Sequence, residues 1–573
     1  MAIYYWVGGT GTWSGTGNTQ FAATSGGVAT LLNPTNADTV NFDANSGATA
    51  TVTVTATAVS LNTIINKSDI NLSLSGSPTL CTAAGTLTFT AGTITLNTYT
   101  LSTGILSSNN SNTRAIAFGT GSINITGSNV NGIDFTTATG FTYTGTSSVN
   151  FTASPTTGTR RILFGSTAGA TELNALNYTI QGGTDTFTLS GGNTSVCNID
   201  YTGFSGVFNC SNIFVYGNFT LSSTLTMTVT STITFAATSG TKTINTNGIT
   251  ITTPYVFDGV GGTFQLTAAI TTAAATNVTL TNGTLDLFNK TLTAGTFSSS
   301  NTNTRAILFG TGNITIIGSA TTIWNTGTVT NFSYTGRSTI NISKNSAAAT
   351  TVTTGAMTEA QALNFNYTVG TYTLTDTTAV YKSLNFTGFT GTIPNSTRTI
   401  YGNLTLVSGM TLTAGANATT FGATSGTSTV TTAAKTLDFP ITFNGIGGTF
   451  AFQDALTQGS TRAFTINAGT VQLKAATTNT VGSFVATNST MKYLQSTTPG
   501  TQATISDASG TNTVSYLTIR DSIANGGATW LAYTDQGNID AGNVDGWDFG
   551  LSPIVGGSEY MYSIRSFTQP RRF

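Results

Sequence analysis

Carboxylates are the first side chains in this sequence that could carry chemistry. Hydrolysis of a glycosidic bond needs two of them, about 5–10 Å apart across the sugar. The 573 residues include only 20 acids, and three of these are glutamates, Glu172, Glu359 and Glu559. Glu172 and Glu359 occur in matching segments, TELNALNY and TEAQALNF, which favours a repeated structural corner made of one helical turn over a unique active site. We therefore predict no catalytic residue and no enzymatic activity.

Aspartates cluster towards the C-terminus, where they could supply oxygen ligands to a calcium ion. Between 535 and 548 they recur every three to five residues, which is not the spacing of an EF-hand loop. Turn formation is the favoured interpretation and calcium binding the alternative, so we predict no metal site and no cofactor. The aspartates concerned are Asp521, Asp535, Asp540, Asp545 and Asp548.

Two arginines, Arg114 and Arg305, each follow an Asn-Thr pair in closely similar segments. A guanidinium group forks well onto carboxylates, so both side chains could bind an anion or a glycan in a groove. The favoured alternative is that each arginine stacks within the fold and satisfies the carbonyl groups of turns.

Histidine and cysteine usage excludes several kinds of site. The chain has no histidine, which rules out Ser-His-Asp and Cys-His catalysis, histidine-ligated zinc and histidine pH switches. Its three cysteines, Cys81, Cys197 and Cys210, are odd in number and widely spread, which is not a disulfide framework. We expect them to be small buried hydrophobic residues.

Charge is scarce throughout the chain. Charged residues make up 7% and the net charge is −1, so there is no basic stripe and we expect no nucleic-acid partner. No apolar run is long enough for a membrane span, and the start MAIYYWVGG lacks the regions of a signal peptide. Aromatic residues make up 10%, which predicts a folded chain, because disordered chains are poor in aromatics.

A tandem repeat must position all of these residues. Arg114 corresponds to Arg305 and Tyr143 to Tyr334, each pair 191 residues apart. Later matches are 185 or 186 residues apart, as in FDGVGGTFQL and FNGIGGTFAF, and a third copy begins at AGTVQL (468–473). A fixed internal period is typical of repeat architectures.

The local pattern within each copy has a period of two. Segments such as TLTFTAGTITL alternate Thr with Leu, Ile or Phe, which predicts half-buried strands, and Gly or Asn-Gly marks turns about every ten residues. A string of β-sandwiches and a parallel β-solenoid both fit this pattern. The solenoid is favoured, because prolines are few and abundant Asn and Thr suit ladders between coils in register. We expect Phe118, Phe164 and Phe309 to stack in its core.

Composition divides the chain into five segments. Trp6 and Trp13 near the start, and Trp530 and Trp547 near the end, are expected to cover the open ends of the core, as capping repeats do. The predicted segments are an N-terminal cap or attachment module (1–50), the first long solenoid repeat (51–280), the second long repeat (281–467), a partial third repeat with a C-terminal cap (468–550) and a C-terminal arm (551–573).

The two ends also resemble known proteins. The opening YYWVGGTGTWSGTGNTQFAATSGG…PTNADTVNFDANSG resembles a leader found in bacteriophage virion proteins and large bacterial adhesin-like proteins. The closing VSYLTIRDSIANGGATWLAYTDQGNIDAGNVDGWDF is similar to the end of the β-helical part of such proteins. The resemblance implies a phage fibre, spike or surface-decorating β-helix, which is usually homotrimeric when it is a tail fibre. Many tail spikes cleave polysaccharide with carboxylate pairs, and this chain offers no clear pair.

The expected function is that of a structural phage virion protein, a rigid β-helical tail fibre or spike that contacts the host surface. The alternatives are a capsid-decorating or adaptor virion protein, a polysaccharide depolymerase and a bacterial surface adhesin. Expected partners are other virion proteins, further copies of the chain in a trimer, and a host-surface glycan or receptor. We expect assembly in the host cytoplasm and docking through the N-terminal module, with the arm ending in Arg571, Arg572 and Phe573 as the rival docking end.

Overall fold

A computed structural model of the protein describes residues 1–553, apart from 129, 138, 165–171, 192–193, 229–230 and 377–378. Within these residues the chain is all-β, and its helical content consists of two short 3₁₀ turns, Glu172–Asn174 and Thr534–Gln536. Glu559 and the terminal Arg571, Arg572 and Phe573 lie outside the described residues. The chain forms two compact units, one of residues 1–382 with 386–393, the other of residues 383–385 with the chain from Pro394.

The first unit stacks its strands in parallel, coil upon coil. The coil made of Arg114–Gly119, Ser122–Ile125 and Asn131–Phe135 pairs in register with the next, made of Phe141–Gly145, Val149–Phe151 and Thr159–Phe164. Each coil therefore has three faces. The strands of this unit are Ile3–Trp6, Gly11–Trp13, Phe21–Ala22, Thr39–Phe42, Thr51–Val54, Asn62–Leu74, Thr86–Thr95, Thr100–Thr103, Ile105–Ser107, Arg114–Gly119, Ser122–Ile125, Asn131–Phe135, Phe141–Gly145, Val149–Phe151, Thr159–Phe164, Leu176–Ile180, Thr186–Ser190, Thr194–Asp200, Val207–Cys210, Ile213–Val215, Phe219–Thr220, Thr226–Met227, Ile233–Phe235, Thr241–Asn245, Thr250–Ile251, Tyr255–Leu266, Ile270–Thr272, Asn277–Asp286, Thr291–Ala294, Thr296–Ser298, Arg305–Gly310, Asn313–Ile316, Thr322–Asn325, Phe332–Gly336, Thr339–Ile342, Thr350–Thr353, Asn364–Tyr367, Leu374–Asp376, Ala379–Tyr381 and Thr392–Ile393.

The second unit has the same construction. Its coil of Lys492–Ser496, Ala503–Asp507 and Thr511–Thr513 pairs in parallel with Leu517–Arg520, Ser522–Gly526 and Thr529–Leu531. The predicted parallel β-solenoid is thus confirmed, and the β-sandwich alternative, which needs antiparallel sheets, is wrong. The strands of this unit are Ser383–Asn385, Arg398–Ile400, Leu404–Thr405, Thr411–Leu412, Thr419–Phe421, Thr427–Thr431, Thr436–Leu437, Ile441–Phe452, Thr457–Gln458, Ala463–Leu473, Thr478–Val481, Ser483–Val485, Lys492–Ser496, Ala503–Asp507, Thr511–Thr513, Leu517–Arg520, Ser522–Gly526, Thr529–Leu531, Ile539–Asp540 and Val544–Asp545.

Glycines set the corner between two faces of the coil at equivalent places in the three copies. In Thr86–Thr95 the alternation of burial breaks at Ala91 and Gly92, which are both buried. Gly92 has a φ of 96°, and Gly283 and Gly469 both have a φ of 80°. This left-handed conformation is one that side chains disfavour. A Cβ atom on Gly283 would also lie 2.3 Å from the carbonyl oxygen of Gly259 in the preceding coil. The glycine of each AGTITL-like segment is therefore required both by backbone conformation and by close contact.

Aromatic rings fill the core at matching positions in both units. Phe235 stacks on Phe257 in the first unit, with ring centroids 5.2 Å apart and planes 16° apart. Phe421 and Phe443 in the second unit repeat this contact at 5.2 Å and 12°. The predicted half-buried strands are confirmed, because the period-two alternation places every second side chain inside the coil.

The three predicted core phenylalanines do not all lie equally deep. Phe118 and Phe309 are fully buried, and each meets a tyrosine edge-on at a centroid distance of 6.1 Å. Phe164 is only half-buried, and it meets Tyr178 edge-on at 6.3 Å. The core prediction is thus confirmed for the first two and holds only in part for Phe164.

Tryptophans pack in the core near both ends of the described chain, in the segments predicted to be caps. Trp6 and Trp13 are fully buried, and each packs on Phe21 and Phe42. In the second unit, Trp530 and Trp547 meet edge-on at 4.9 Å. The strand Ile3–Trp6 also pairs in parallel with Thr39–Phe42, so that stacking begins with the first strand of the chain.

Asparagine ladders link successive coils, as the composition predicts. The Asn198 side chain donates to Oδ1 of Asn177 at 2.7 Å, and the Asn218 main-chain N–H donates to Oδ1 of Asn198 at 2.5 Å. Asn218 Oδ1 in turn accepts the main-chain N–H of Thr243 at 2.8 Å. Each amide thus satisfies polar groups of the neighbouring coil on the wet face of the sheet.

Candidate functional site

Arg114 lies entirely inside the first unit, with no exposed side-chain surface. Its Nη1 donates to the carbonyls of Asn112 and Thr139 at 2.8 and 2.9 Å. Its Nη2 donates to the carbonyls of Ser108 and Thr137 at 2.5 and 2.9 Å, and its Nε donates to Oγ of Ser108 at 2.5 Å. All five guanidinium N–H groups are therefore satisfied within the protein.

Arg305 repeats this arrangement in the second copy. Its acceptors are Ser299, Asn303, Thr328 and Thr330, each 191 residues after the corresponding acceptor of Arg114. Burial lowers the pKa of both guanidinium groups, although arginine remains charged at any physiological pH. The predicted role in satisfying turn carbonyls is confirmed, and the alternative of an anion- or glycan-binding groove at these arginines is wrong, since neither side chain reaches solvent.

Lys492 is the third member of this series. In the parallel pairing of strands, Lys492 is in register with Gly469, which has a left-handed backbone, just as Arg114 is in register with Gly92. The ammonium Nζ donates to the carbonyls of Asn488, Thr490 and Ser515 and to Oδ1 of Asn488, at 2.8–2.9 Å. The sequence analysis missed this residue, because the third copy carries a different cation, one residue farther from its glycine.

Two further cations are buried in the first unit. Arg160 forms a bidentate pair with Asp185, both distances being 2.9 Å, and also donates to the carbonyls of Ala153 and Gly182. Lys344 donates to Ala348 O at 2.8 Å and to Oγ1 of Thr350. Arg160 thus joins successive coils, whereas Lys344 bonds within its own segment, and because both charges are buried they are not available to ligands.

The two equivalent glutamates occupy corners, as predicted, but their contacts differ. Glu172 begins a 3₁₀ turn and accepts the main-chain N–H of Thr238 at 3.2 Å. Glu359 lies in a turn and forms an ion pair of 3.0 Å with Lys382. The two glutamates do not pair with each other. The carboxylate of Glu172 is bonded to Thr238, and that of Glu359 is bonded to Lys382.

A groove of about 500 Å³ lies beside Glu172, lined by Tyr143, Thr144, Gly145, Glu172 and Leu173. Glycosidase chemistry would need a second carboxylate on the opposite wall. Glu172 is the single carboxylate among these five lining residues, so the lining supplies only half of such a pair.

Two of the C-terminal aspartates, Asp540 and Asp548, form turns, which confirms the favoured interpretation for these two residues. Asp540 and Asp548 each accept the main-chain N–H two residues ahead, from Gly542 at 2.8 Å and Gly550 at 2.9 Å. Asp535 accepts the main-chain N–H of Ser552 at 3.0 Å. Across the part of the chain that the structure describes, no cluster of three or more Asp, Glu or Cys side chains is placed to hold a metal ion.

The three cysteines are free thiols. Cys81 and Cys210 are buried, as predicted, while Cys197 is half-buried. Burial raises the pKa of all three, that of Cys210 to about 12. Protonated thiols are poor nucleophiles. Cys81 and Cys210 pack as small hydrophobic groups, whereas that prediction is wrong for the half-buried Cys197.

A surface patch distinguishes the third copy from the first two. We name it the tyrosine patch, and it consists of Met491, Tyr493, Tyr516 and Ile539, whose side chains are 38%, 42%, 41% and 47% exposed. Tyr493 faces solvent because it alternates with the buried Lys492 and Leu494.

The first two copies carry small residues at three of the four patch positions. The register of the buried cations sets the correspondence. Met491 replaces Thr113 and Thr304, Tyr493 replaces Ala115 and Ala306, and Tyr516 replaces Gly140 and Asn331. Sequence reasoning could not find this patch without the register, which shows which tyrosines face outward.

Tyr516 has an unusual backbone conformation. The carbonyls of Gly140, Asn331 and Tyr516 accept the main-chain N–H of the buried cation in their respective copies, at 3.0–3.1 Å. Their φ angles are 76°, 56° and 51°. Glycine and asparagine are common in this left-handed region, whereas a bulky aromatic residue is an outlier. The third copy thus keeps an aromatic ring at a corner where the backbone disfavours one.

Polar side chains border the patch. Tyr493 lies between Thr470 and Thr518 along its row of the sheet, and Thr518 Oγ1 donates to Sδ of Met491 at 3.5 Å. The adjacent row carries Gln495, followed by Arg520, which is paired with Asp521 at 3.5 Å. Aromatic faces next to hydroxyl and amide groups can both stack on a ligand and form hydrogen bonds with it.

The described residues contain no helix that is long and apolar enough to cross a membrane. No protein-family model matches the sequence, and no curated protein or solved structure is significantly similar to it.

Proposed function

We propose that the protein is a structural component of a bacteriophage virion, a β-solenoid tail fibre or spike that projects from the particle and contacts the host surface. The observation that carries this proposal is that charged side chains are buried inside the coils, where they bond to the protein itself. Arg114, Arg305 and Lys492 direct their charges at main-chain carbonyls. What remains at the surface is mostly hydroxyl and amide groups, which suits a spacer or a display surface rather than a catalyst.

Two further features support the proposal. Parallel coils in which each strand pairs with the coil before and after it make a stiff body without a hinge-like linker inside either unit. Buried tryptophans pack near the start of the first unit and near the end of the second, in the two segments where the sequence suggests a resemblance to virion proteins. In this proposal the partners are other virion proteins and further copies of the chain, in a trimer, and docking uses the N-terminal module.

Particle composition tests the proposal. Phage particles from a culture that produces this protein are purified on a density gradient, and their proteins are quantified by mass spectrometry. The proposal predicts that this chain co-sediments with the major capsid protein at a fixed ratio and resists washing with high salt. Loss of the chain from the particle fraction, with recovery in the soluble or cell-surface fraction, would contradict it.

A companion assay separates this function from that of a depolymerase. The purified chain is incubated with capsular and lipopolysaccharide glycans from the same host, and the products are analysed by size. The proposal predicts unchanged glycan length, whereas shortened glycans would overturn the structural assignment.

A further inference from the structure

We propose that the tyrosine patch is a binding site for an uncharged glycan. This inference deepens the proposed function, since it names the surface and the ligand class through which the protein would contact a host. It rests on the patch residues Met491, Tyr493, Tyr516 and Ile539, which the first two copies of the repeat lack in this form.

The internal repeat provides the first argument. All three copies keep the buried cation, the left-handed glycine and the parallel register, so the coil folds without large residues at the patch positions. Tyr493 stands where the other copies have alanine, and Tyr516 stands where they have glycine or asparagine. These aromatic rings are therefore not required by the coil, and that of Tyr516 is retained despite a strained φ of 51°.

The arrangement of the rings provides the second argument. Tyr516 immediately precedes the strand Leu517–Arg520, which pairs with the strand that begins at Lys492, so the two tyrosines belong to successive coils. Coils in a parallel sheet lie about 4.8 Å apart. Tyr493 is in register with Thr518, so Tyr516 is offset from Tyr493 by one coil and by two residues along the strand, about 8 Å in all. Two aromatic side chains at this spacing can contact different rings of one oligosaccharide, stacking on their C–H faces while threonine and glutamine side chains bond to the hydroxyl groups.

Size and charge favour a glycan over a protein partner. A stable protein interface buries about 800 Å² on each partner, whereas the patch consists of four side chains bordered by the hydroxyl groups of Thr470 and Thr518. The charge of Arg520 is balanced by Asp521 at 3.5 Å. The exposed Asp540, which follows Ile539 in the chain, adds a carboxylate beside the patch. This negative charge favours a neutral ligand over an acidic one.

Lys492 acts as a positioning residue for this site. Its Nζ bonds to Asn488 and Thr490 on one side and to Ser515 on the other. These acceptors flank Met491 and Tyr516 in the chain, so the buried ammonium fixes the two segments that carry the patch.

Binding of the full chain to an array of neutral and acidic oligosaccharides, built from hexoses and N-acetylhexosamines, tests the inference. The variants are Tyr493→Ala and Tyr516→Asn, which restore residues found in the other copies and therefore preserve the fold. The matched control is Phe288→Asn, because Phe288 is also an exposed aromatic residue with a left-handed φ, of 46°, and the first copy has Asn97 at this position.

The expected result is binding to at least one neutral glycan, weakened about tenfold or more by each tyrosine variant and unchanged by Phe288→Asn. No binding to any neutral glycan, binding to acidic glycans alone, or unchanged binding by the double variant that combines Tyr493→Ala with Tyr516→Asn would overturn the inference. A change of oligomeric state in the double variant, measured by analytical ultracentrifugation, would overturn it in favour of an interface between copies. Glycan binding by a chain that is missing from particles would sustain this site while refuting the virion function.

Discussion

Lys492 and Tyr516 are joined by a main-chain hydrogen bond of 3.0 Å, from the N–H of Lys492 to the carbonyl of Tyr516. This bond links Lys492, the most deeply buried cation among the described residues of the second unit, to Tyr516, the patch residue with a left-handed φ. The equivalent bonds in the first two copies link Arg114 to Gly140 and Arg305 to Asn331. The same main-chain bond is thus made at a corner that carries glycine in the first copy, asparagine in the second and tyrosine in the third.

Removing the Lys492 ammonium should destabilise the coil around it. Lys492→Met leaves the carbonyls of Asn488, Thr490 and Ser515 without their donor, and we expect a loss of about 1–3 kcal/mol in the free energy of unfolding. Lys492→Arg keeps a cation of the kind used in the other copies and should lose less. Calorimetric unfolding of the three proteins checks this order, and a Met variant as stable as the wild type would contradict it.

The same lysine should make stability depend on alkaline pH. Burial lowers the pKa of Lys492 to about 8 from its ordinary value near 10.5. Below pH 8 the folded protein carries the full cost of a buried charge. Between about pH 8 and 10.5 the unfolded chain binds more protons than the folded one, so stability rises with pH.

Comparison with Lys492→Met isolates this effect from the titration of tyrosines and other lysines. The difference in free energy of unfolding between wild type and variant should shift in favour of the wild type by at most about 3 kcal/mol over this range. A difference that stays constant with pH would mean that the four oxygen acceptors hold the ammonium at its ordinary pKa.

Arg305 should behave as a structural residue despite its charge. Arg305→Met removes donors to four carbonyls and to Ser299 Oγ, and we expect a loss of about 2–4 kcal/mol. Arg337→Met is the matched control, because Arg337 is exposed on a neighbouring coil. Thermal unfolding of both variants checks the contrast, and equal effects would argue against a specific role for the buried guanidinium.

The sequence predicted the solenoid and the arginine contacts because both depend on local patterns that recur in the copies. Lys492 escaped prediction because MKYLQS places a charged residue on the buried face, against the usual rule that lysine faces water. The exposure of Tyr493 was not predicted either. The next residue, Leu494, is also hydrophobic, so the sequence alone does not show which of the two faces the core. Only the pairing of Lys492 with Gly469 decides which face each residue occupies.

Glycine corners offer a stricter test of the coil geometry. Gly283 and Gly248 have nearly equal φ angles, 80° and 83°, but a Cβ at Gly283 would lie 2.3 Å from Gly259 O whereas that at Gly248 would meet open space. Gly248→Ala should cost about 1–2 kcal/mol from backbone strain alone. Gly283→Ala should cost about 3 kcal/mol or more, because overpacking adds to that strain. Similar melting temperatures for the two variants would contradict the close contact between coils.

Thiol reactivity should follow burial. At pH 8 the folded protein should react slowly at Cys197 alone, because Cys81 and Cys210 are buried and their pKa values are raised. All three thiols should react after unfolding in guanidinium chloride. A colorimetric disulfide reagent measures the rates, with Cys197→Ser as the control that abolishes reaction of the folded state. Rapid reaction of that control would show that the two inner cysteines are accessible.

Electron microscopy of purified phage particles, with separate gold labels on the two termini of this chain, tests the proposed function most directly. The proposal predicts that the N-terminal label lies at the base of a projecting fibre or spike and that the C-terminal label lies away from the particle surface. Labels distributed over the head would indicate a decorating protein instead. Particles without either label would contradict the assignment of this solenoid to a virion.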